Sequence, residues 1–576
     1  MANHALIGFA ATAVAASFIL RDGGELFFYG SLISVLVALA FLAPHQGMRW
    51  FRRVEVSLRR LSRNRGIAIV TVGVLTLIVV TLVTAIAKVP IPKVDDEFSY
   101  LLAADTFAHG RLTNPTHPMW MHFEAFHVIQ QPTYASRYPP GQGLILGLGQ
   151  LLGHPIIGVW VSAILAAGAM CWMLMAWLPT RWALIGSIFV VVHPELLIWS
   201  QRYWGGSLTL AGGALAIGGC GRVLKKLLNA ESRLVLRDST VMAIGMSILL
   251  LCRPYEGGVL ILILLLVCAF AFAKSTNKPI QSLLTCVVSP LIVLLGITMA
   301  WLAYYNWRVT NNPFRMPQQV YVATYNAAPI FLWQKRPVPP VYHNKQMRDF
   351  HMGWELRHYL KQRSLSGLAI GMLERLGKIL RGMFRLWPLL IPLLALPAAL
   401  KNRWTQLALL ILTLFASALL QVTWTFFHYA APALPLFFLV IVQSLRHLRL
   451  WHWHGKPVGL FLARGCIILS VLSLPYTCWT IAQENRYARR AKIVAQLQRQ
   501  GGKHLIVVRY APTTINPVEW VYNAADIDRA PIVWARELGA AQDRDLVRYF
   551  GDRRVWLLEV NNRDIRLVPY LSNFNL

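Results

Sequence analysis

Acidic residues are scarce in this chain: 25 Asp and Glu stand against 56 Lys and Arg in 576 residues, and only 14% of positions are charged. The excess lies elsewhere, in a 56% hydrophobic composition with a mean hydropathy of +0.48. Many apolar runs reach bilayer-spanning length, which excludes a soluble globule. The seven cysteines (171, 220, 252, 268, 286, 466, 478) lie in or beside apolar runs without a CxxC pair, so neither a disulfide framework nor a zinc site is expected. A nucleotide-phosphate loop is missing too: Gly501-Gly502 lacks the GxxxxGK[ST] pattern and no GxGxxG follows a strand. No cleavable signal is evident, because the first apolar run, Ala5 to Leu20, lacks a basic start and leads into a second hydrophobic segment. The formal charge of +31 reads as cytoplasmic loop charge and contact with membrane lipids, not as nucleic-acid binding, since Trp and Tyr belong at membrane interfaces.

What is present is an α-helical polytopic pattern. Apolar runs near 4–20, 25–43, 67–89, 156–178, 182–198, 207–223, 239–252, 257–273, 283–303, 386–401, 404–422, 428–444 and 458–480 predict about 13 transmembrane helices. Arg49, Arg52, Arg53, Arg59, Arg60, Arg63 and Arg65 place the 45–65 loop in the cytoplasm. Alternation then puts two long loops, 90–155 and 304–385, and the C-terminus on the outer face. Three parts are expected: N-terminal helices with their basic loop (1–66), a membrane module (67–480) and a small α/β extracytoplasmic domain (481–576). In the last, Leu505–Arg509 and Val555–Val560 read as buried strands around a helical Asp543–Phe550 stretch. Its Glu519-Trp520-Val521-Tyr522-Asn523 stretch is either a recognition element or ordinary surface.

The stretch around which the chain is organised is Val94-Asp95-Asp96-Glu97-Phe98-Ser99-Tyr100, just beyond the 67–89 run and Pro90 and Pro92. Three carboxylates where hydrocarbon gives way to water call for a partner or a purpose. One reading has Asp95 or Asp96 capping a helix that runs to His109 and ends at Gly110; the other is catalytic. The same loop carries His117, Phe123-Glu124 and His127 and closes with Arg137-Tyr138-Pro139-Pro140-Gly141, followed by a run, 144–152, too short to span the bilayer. Without HExxH or paired His spacing, these histidines are expected to be exposed loop residues rather than metal ligands. Other outer ends carry Gln201-Arg202-Tyr203-Trp204, Arg253-Pro254-Tyr255-Glu256 and His428-Tyr429, with Pro432 beyond. Arg253 is hard to dismiss as a snorkelling cation, because Pro and Gly break the helix beside it and Glu256 is close enough to orient it. The 304–385 loop is basic, with Lys335-Arg336 among its cations, as a lining for an anionic ligand such as a phosphate would be.

An acidic Asp-Glu pair after an early span, a long outer loop ending in Tyr-Pro-Pro-Gly, a basic second loop and a late His-Tyr-x-x-Pro segment together resemble the GT-C glycosyltransferases. The closest flavour is that of the protein O-mannosyltransferases and the aminoarabinose transferases acting on lipid A. The resemblance covers the architecture of 67–480, through few and short matches; the family's acidic pair falls on Asp96-Glu97, with Asp95 an additional acid. It implies a sugar donor on a polyprenyl phosphate, no nucleotide, no obligatory cofactor, and an acceptor that is lipid, glycan or protein. Some GT-C enzymes use a divalent ion, which Asp96 with Glu124 could hold.

The chemistry asks for these residue types. An acceptor hydroxyl or amine loses a proton as it attacks the anomeric carbon, and a carboxylate can take it. The departing lipid phosphate needs Arg, Lys or His nearby. The expected roles are Asp96 as base, Glu97 or Asp95 in orientation, and Arg253, His428 and Lys335-Arg336 at the phosphate. Glu124, Arg137, Tyr138, Arg202, Tyr255, Glu256 and Tyr429 are expected to line the substrate site. The expected setting is the bacterial cytoplasmic membrane with the site on the extracytoplasmic face. The rival is a transporter or lipid flippase, whose inverted repeats are not found; a catalytically silent scaffold would tolerate replacement of the acids.

Overall fold

The structure, a computed structural model, describes residues 23–229, 236–275, 280–485, 489–511, 519–561 and 564–570. Among these, six helices are long and apolar enough to cross a membrane: Arg65–Ala87, Pro155–Trp177, Gly206–Leu228, Pro254–Lys274, Ile280–Thr310 and Val458–Glu484. The pair Leu365–Met383 and Trp387–Ala399, bent by 97°, makes a seventh if it is one span, and shorter apolar helices occupy Tyr29–Leu42, Thr180–Val192, Arg403–Leu419 and Leu434–Leu448. The chain is thus an integral membrane protein, with fewer full-length spans than the 13 expected; the 4–20 run lies outside the described residues. Proline explains two of the differences. The 182–198 run breaks at His193-Pro194 into Thr180–Val192 and Pro194–Trp199, and the 386–401 run becomes a 3-10 turn with Pro392 inside it.

The Gly206–Leu228 helix lies at the centre, 89% of its apolar window buried, whereas Ile280–Thr310, at 11%, faces outward. Its small residues permit that position. A Cβ at Gly213 would stand 2.0 Å from the carbonyl oxygen of Pro432, so the missing side chain is what seats the 427–433 segment against this helix. Gly143 does the same for the first loop, where a Cβ would meet that of Ala103 at 2.7 Å. The Pro140–Leu151 helix therefore packs directly on the Asp95–Ala108 helix.

The C-terminal unit is a four-stranded sheet in the order Ile532–Arg536, His504–Tyr510, Arg554–Val560, Ile565–Pro569, the first two pairings parallel and the last antiparallel. The Ala540–Tyr549 helix lies between two of its strands in sequence. One face of the sheet is not left to solvent. Leu505, Val507 and Val533 share a core with Leu102, Phe123 and Tyr134, so the unit is clamped onto the first loop, over the acidic stretch.

Candidate active site

A helix turns about 100° per residue, so three consecutive acids at its start must point three ways. The Asp95–Ala108 helix does this with Asp95, Asp96 and Glu97, and the three carboxylates have three sets of partners.

Glu97 is fully buried and occupied. It accepts from the backbone N–H of Lys93 (2.9 Å), Val94 (3.3 Å) and Tyr203 (3.1 Å), and Arg202 donates to it at 3.3 Å. The N-cap is Val94, so the capping expected of Asp95 or Asp96 falls to Glu97, which reaches back from the third helical position. Arg202 also binds Glu484 at 3.0 Å and is thereby spent between two acids.

Asp96 points at the rim of the membrane module. Its Oδ1 accepts from the Tyr138 hydroxyl at 2.6 Å, and His127 Nδ1 lies 2.6 Å from the same oxygen. Arg137 donates to the Tyr138 hydroxyl at 3.2 Å and stacks over the Tyr321 ring at 4.7 Å. Burial pushes the Asp96 acidity one way, but the charge of His127, its hydrogen bond, Arg137 and Tyr138 outweigh it and hold the carboxyl well below the usual range. Burial and Arg137 meanwhile favour a neutral His127 ring, which Asp96 opposes. The depressed Asp96 is the firm direction, because Arg137 and Tyr138 sustain it with either form of the ring. An ionised Asp96 cannot donate, so His127 Nδ1 carries a hydrogen, and in the neutral ring Nε2 keeps its lone pair. The expectation of exposed loop histidines is overturned: His127 is largely covered, and His117 and His122 are buried at 7% and 3% exposure. The Val128–Ile129 and Ala135–Ser136 hairpin turns the chain back and carries His127 inward.

Asp95 points at the C-terminal unit, where Tyr522 hydrogen-bonds it. Tyr522 is held by stacking on Phe98, with ring centroids 4.2 Å apart and planes within 3°, and Arg490 covers the Phe98 ring at 4.7 Å. Burial first, then the charges of Glu519 and Asp96, push the Asp95 carboxyl up to about 7, against Tyr522 and Arg137. Asp95 and Asp96 are ringed by protein yet both keep part of their surface open.

The cations stand across from Asp96. Arg253, 3.7 Å from Glu256, lies over the Tyr429 ring at 4.5 Å. Tyr100 and Tyr138, stacked at 4.4 Å, feel the charges of both Asp96 and Arg253 and bridge the two halves. His428 stacks on Trp204 at 5.1 Å and is within reach of both charges. Burial, then Arg253, lowers its pKa to about 3, leaving the ring neutral. Its Nε2 is buried without a partner, as are Arg137 Nε and Trp204 Nε1.

Four expected residues are elsewhere. Glu124 accepts from Tyr325, His343 and Asn344 at 3.0–3.1 Å and ties the two long loops together. The Tyr255 hydroxyl donates to the Ala418 carbonyl at 2.9 Å. Lys335 and Arg336 are exposed in the second loop and join no described contact with the cluster. Among the described residues no three His, Cys, Asp or Glu side chains gather as a metal site. Sequence reasoning missed Tyr100, one helical turn after Asp96 and therefore on its face, and Tyr321.

No family model matches the chain, and no curated protein matches it in sequence. Among solved structures it resembles ArnT from Cupriavidus metallidurans without ligand, at a TM-score of 0.51 and 12% identity, covering 85% of this chain and 93% of that one. The same ArnT bound to undecaprenyl phosphate gives 0.49 at 12% identity over 84% and 92%. The Archaeoglobus fulgidus oligosaccharyltransferase gives 0.34 at 10% identity over 77% and 62%. The chain shares the fold of that ligand-free ArnT.

Proposed function

We propose that this chain of GT-C fold is a membrane glycosyltransferase that moves a sugar from a polyprenyl-phosphate carrier to an acceptor on the extracytoplasmic face. One observation supports this most: Asp96, tied to His127 and Tyr138, faces Arg253 and an unpartnered His428 across a pair of stacked tyrosines. An acid–base pair opposite a cation and an open nitrogen is what a displacement at an anomeric carbon needs.

The acceptor's O–H or N–H proton passes to the Asp96–His127 pair, whose Nε2 lone pair and carboxylate titrate as a unit. The acceptor atom bonds to the anomeric carbon as the bond from that carbon to the phosphate oxygen breaks. Its electrons remain on the phosphate, whose charge Arg253 and His428 receive. A single displacement of this kind inverts the anomeric centre. Asp95, whose carboxyl burial and then Glu519 and Asp96 push up to about 7, orients the acceptor. The ArnT of the same fold has been crystallised with undecaprenyl phosphate, a lipid of the proposed carrier class.

The test is transfer by full-length protein, followed by mass spectrometry of envelope lipids, glycans and proteins with and without the gene. Asp96→Asn keeps the shape and the hydrogen bonds but cannot take a proton. It should lower the thermal midpoint, since the fold favours the ionised carboxylate, yet leave the protein folded while cutting transfer at least about a hundredfold. His127→Gln should cut it as well. Full transfer by a folded Asp96→Asn protein would remove the carboxylate from the reaction.

A further inference from the structure

The Arg65–Ala87 helix leads to the acid cluster at its C-terminal end, and at about 1.5 Å per residue its N-terminus lies on the other face of the membrane. There the starts and ends of four helices enclose a cavity of about 560 Å³. Among the described residues Arg65, Arg222, Lys225, Lys226 and Arg237 line it, with Asp238 as the one acid, so five cations face one carboxylate. Asp238 does not neutralise them. It stands 3.9 Å from both Arg222 and Lys226, shared between the two.

Two of the cations are fixed in advance. Arg222 donates to the carbonyls of Gly218 and Trp172, each at 2.8 Å, and lies 3.7 Å over the Trp172 ring; Lys225 donates to the Ala176 carbonyl at 2.6 Å. Arg65 and Arg237 are exposed at the rim. Such mutual repulsion is costly unless an anion enters. The cavity also has an apolar side: Ile69, Trp172 and Met175 contribute to its lining, and just beyond Arg65 the helix turns Ile67 and Val70 outward, 54% and 65% exposed. A polar pocket continuous with a lipid-facing apolar strip matches a ligand with a phosphate head and hydrocarbon tails.

We infer that this cavity binds the phosphate head group of an anionic membrane phospholipid, on the face opposite the acid cluster. The bound lipid offsets the five-cation repulsion and braces the ends of the helices that lead to the cluster. The inference does not depend on the reaction carried out at the other face.

The experiment uses full-length protein in detergent and in phosphatidylcholine nanodiscs. Native mass spectrometry counts retained phosphatidylglycerol or cardiolipin, and a thermal-shift titration tests inorganic phosphate alone. Arg65→Ala/Arg237→Ala removes the rim cations without touching the carbonyl-bound Arg222. At about fivefold per cation near a membrane surface, retention should fall roughly twenty- to thirtyfold. Arg52→Ala/Arg60→Ala removes equal charge from the exposed Met48–Leu61 helix, outside the cavity, and should leave retention unchanged. Equal loss in both double variants, or loss in neither, overturns the site. Inorganic phosphate that displaces the lipid at equal concentration overturns the lipid assignment in favour of a soluble anion.

Discussion

Replacing Asp95 by Asn should stabilise the protein, and by an amount that depends on pH in a defined direction. The folded structure holds this carboxyl at about 7 against 3.8 in a free chain, mainly through burial and then Glu519 and Asp96. A raised acid disfavours its own ionised form in the fold. The penalty is therefore absent below the unfolded value, grows as pH rises through the window between 3.8 and 7, and is complete above it. At about 1.36 kcal/mol per pH unit, the difference of 7 − 3.8 sets a ceiling of about 4 kcal/mol at pH 8, which partial solvent contact trims to about 2–4. At pH 5 only about 1–1.5 kcal/mol is left, and near pH 3.5 nothing. Asn retains the side-chain shape; losing the charge from the first helical turn costs about 0.3–1 kcal/mol at every pH. The assay is the apparent thermal midpoint of purified protein in one detergent across pH 4–8, wild type against Asp95→Asn. The variant should melt higher at pH 8, with the margin shrinking steadily toward acid. A constant offset, or a variant that melts lower at pH 8, would refute the environment described for Asp95.

Arg253→Ala should weaken use of the polyprenyl-phosphate donor by roughly 2–5 kcal/mol in kcat/KM, the range for removing one partner of a buried charged contact, and Arg253→Lys should recover only part. Unchanged donor kinetics in both variants would take Arg253 out of the site. Tyr522→Phe removes a hydrogen bond that lowers the Asp95 pKa, so the acidic limb of the pH–rate profile should move to higher pH, at a stability cost of about 1 kcal/mol. A profile that does not move would mean that Asp95 has no part in the reaction.

The membrane module was legible because its signal is local: apolar runs spell out helices such as Arg65–Ala87 and Pro155–Trp177 nearly to the residue. Arg253 was legible for the same reason, since a cation beside a helix break is visible in a few letters. The division of labour among the three acids was not. Adjacent letters look like one group, and only the helical turn, together with Tyr522, His127 and Tyr203 arriving from distant segments, separates them. His127 was misread because its burial depends on a two-residue hairpin and on loops far along the chain. Lys335 and Arg336 show the converse: a charge-rich stretch whose exposed side chains stay out of the cluster.

The clamp between the C-terminal sheet and the first loop also has a meaning in time. Residue 95 emerges from the ribosome more than four hundred residues before Tyr522, its partner in the folded chain. Until 519–536 has been synthesised and delivered to the same side of the membrane, Asp95 lacks its hydrogen bond and Phe98 its stacking ring. Arg536, which donates to the Glu124 carbonyl at 2.9 Å, has yet to fasten the first loop. A half-made chain therefore carries the partners of Asp96 but not yet those of Asp95. The contacts made by the C-terminal sheet are thus the last to form in biogenesis, a property of the completed fold.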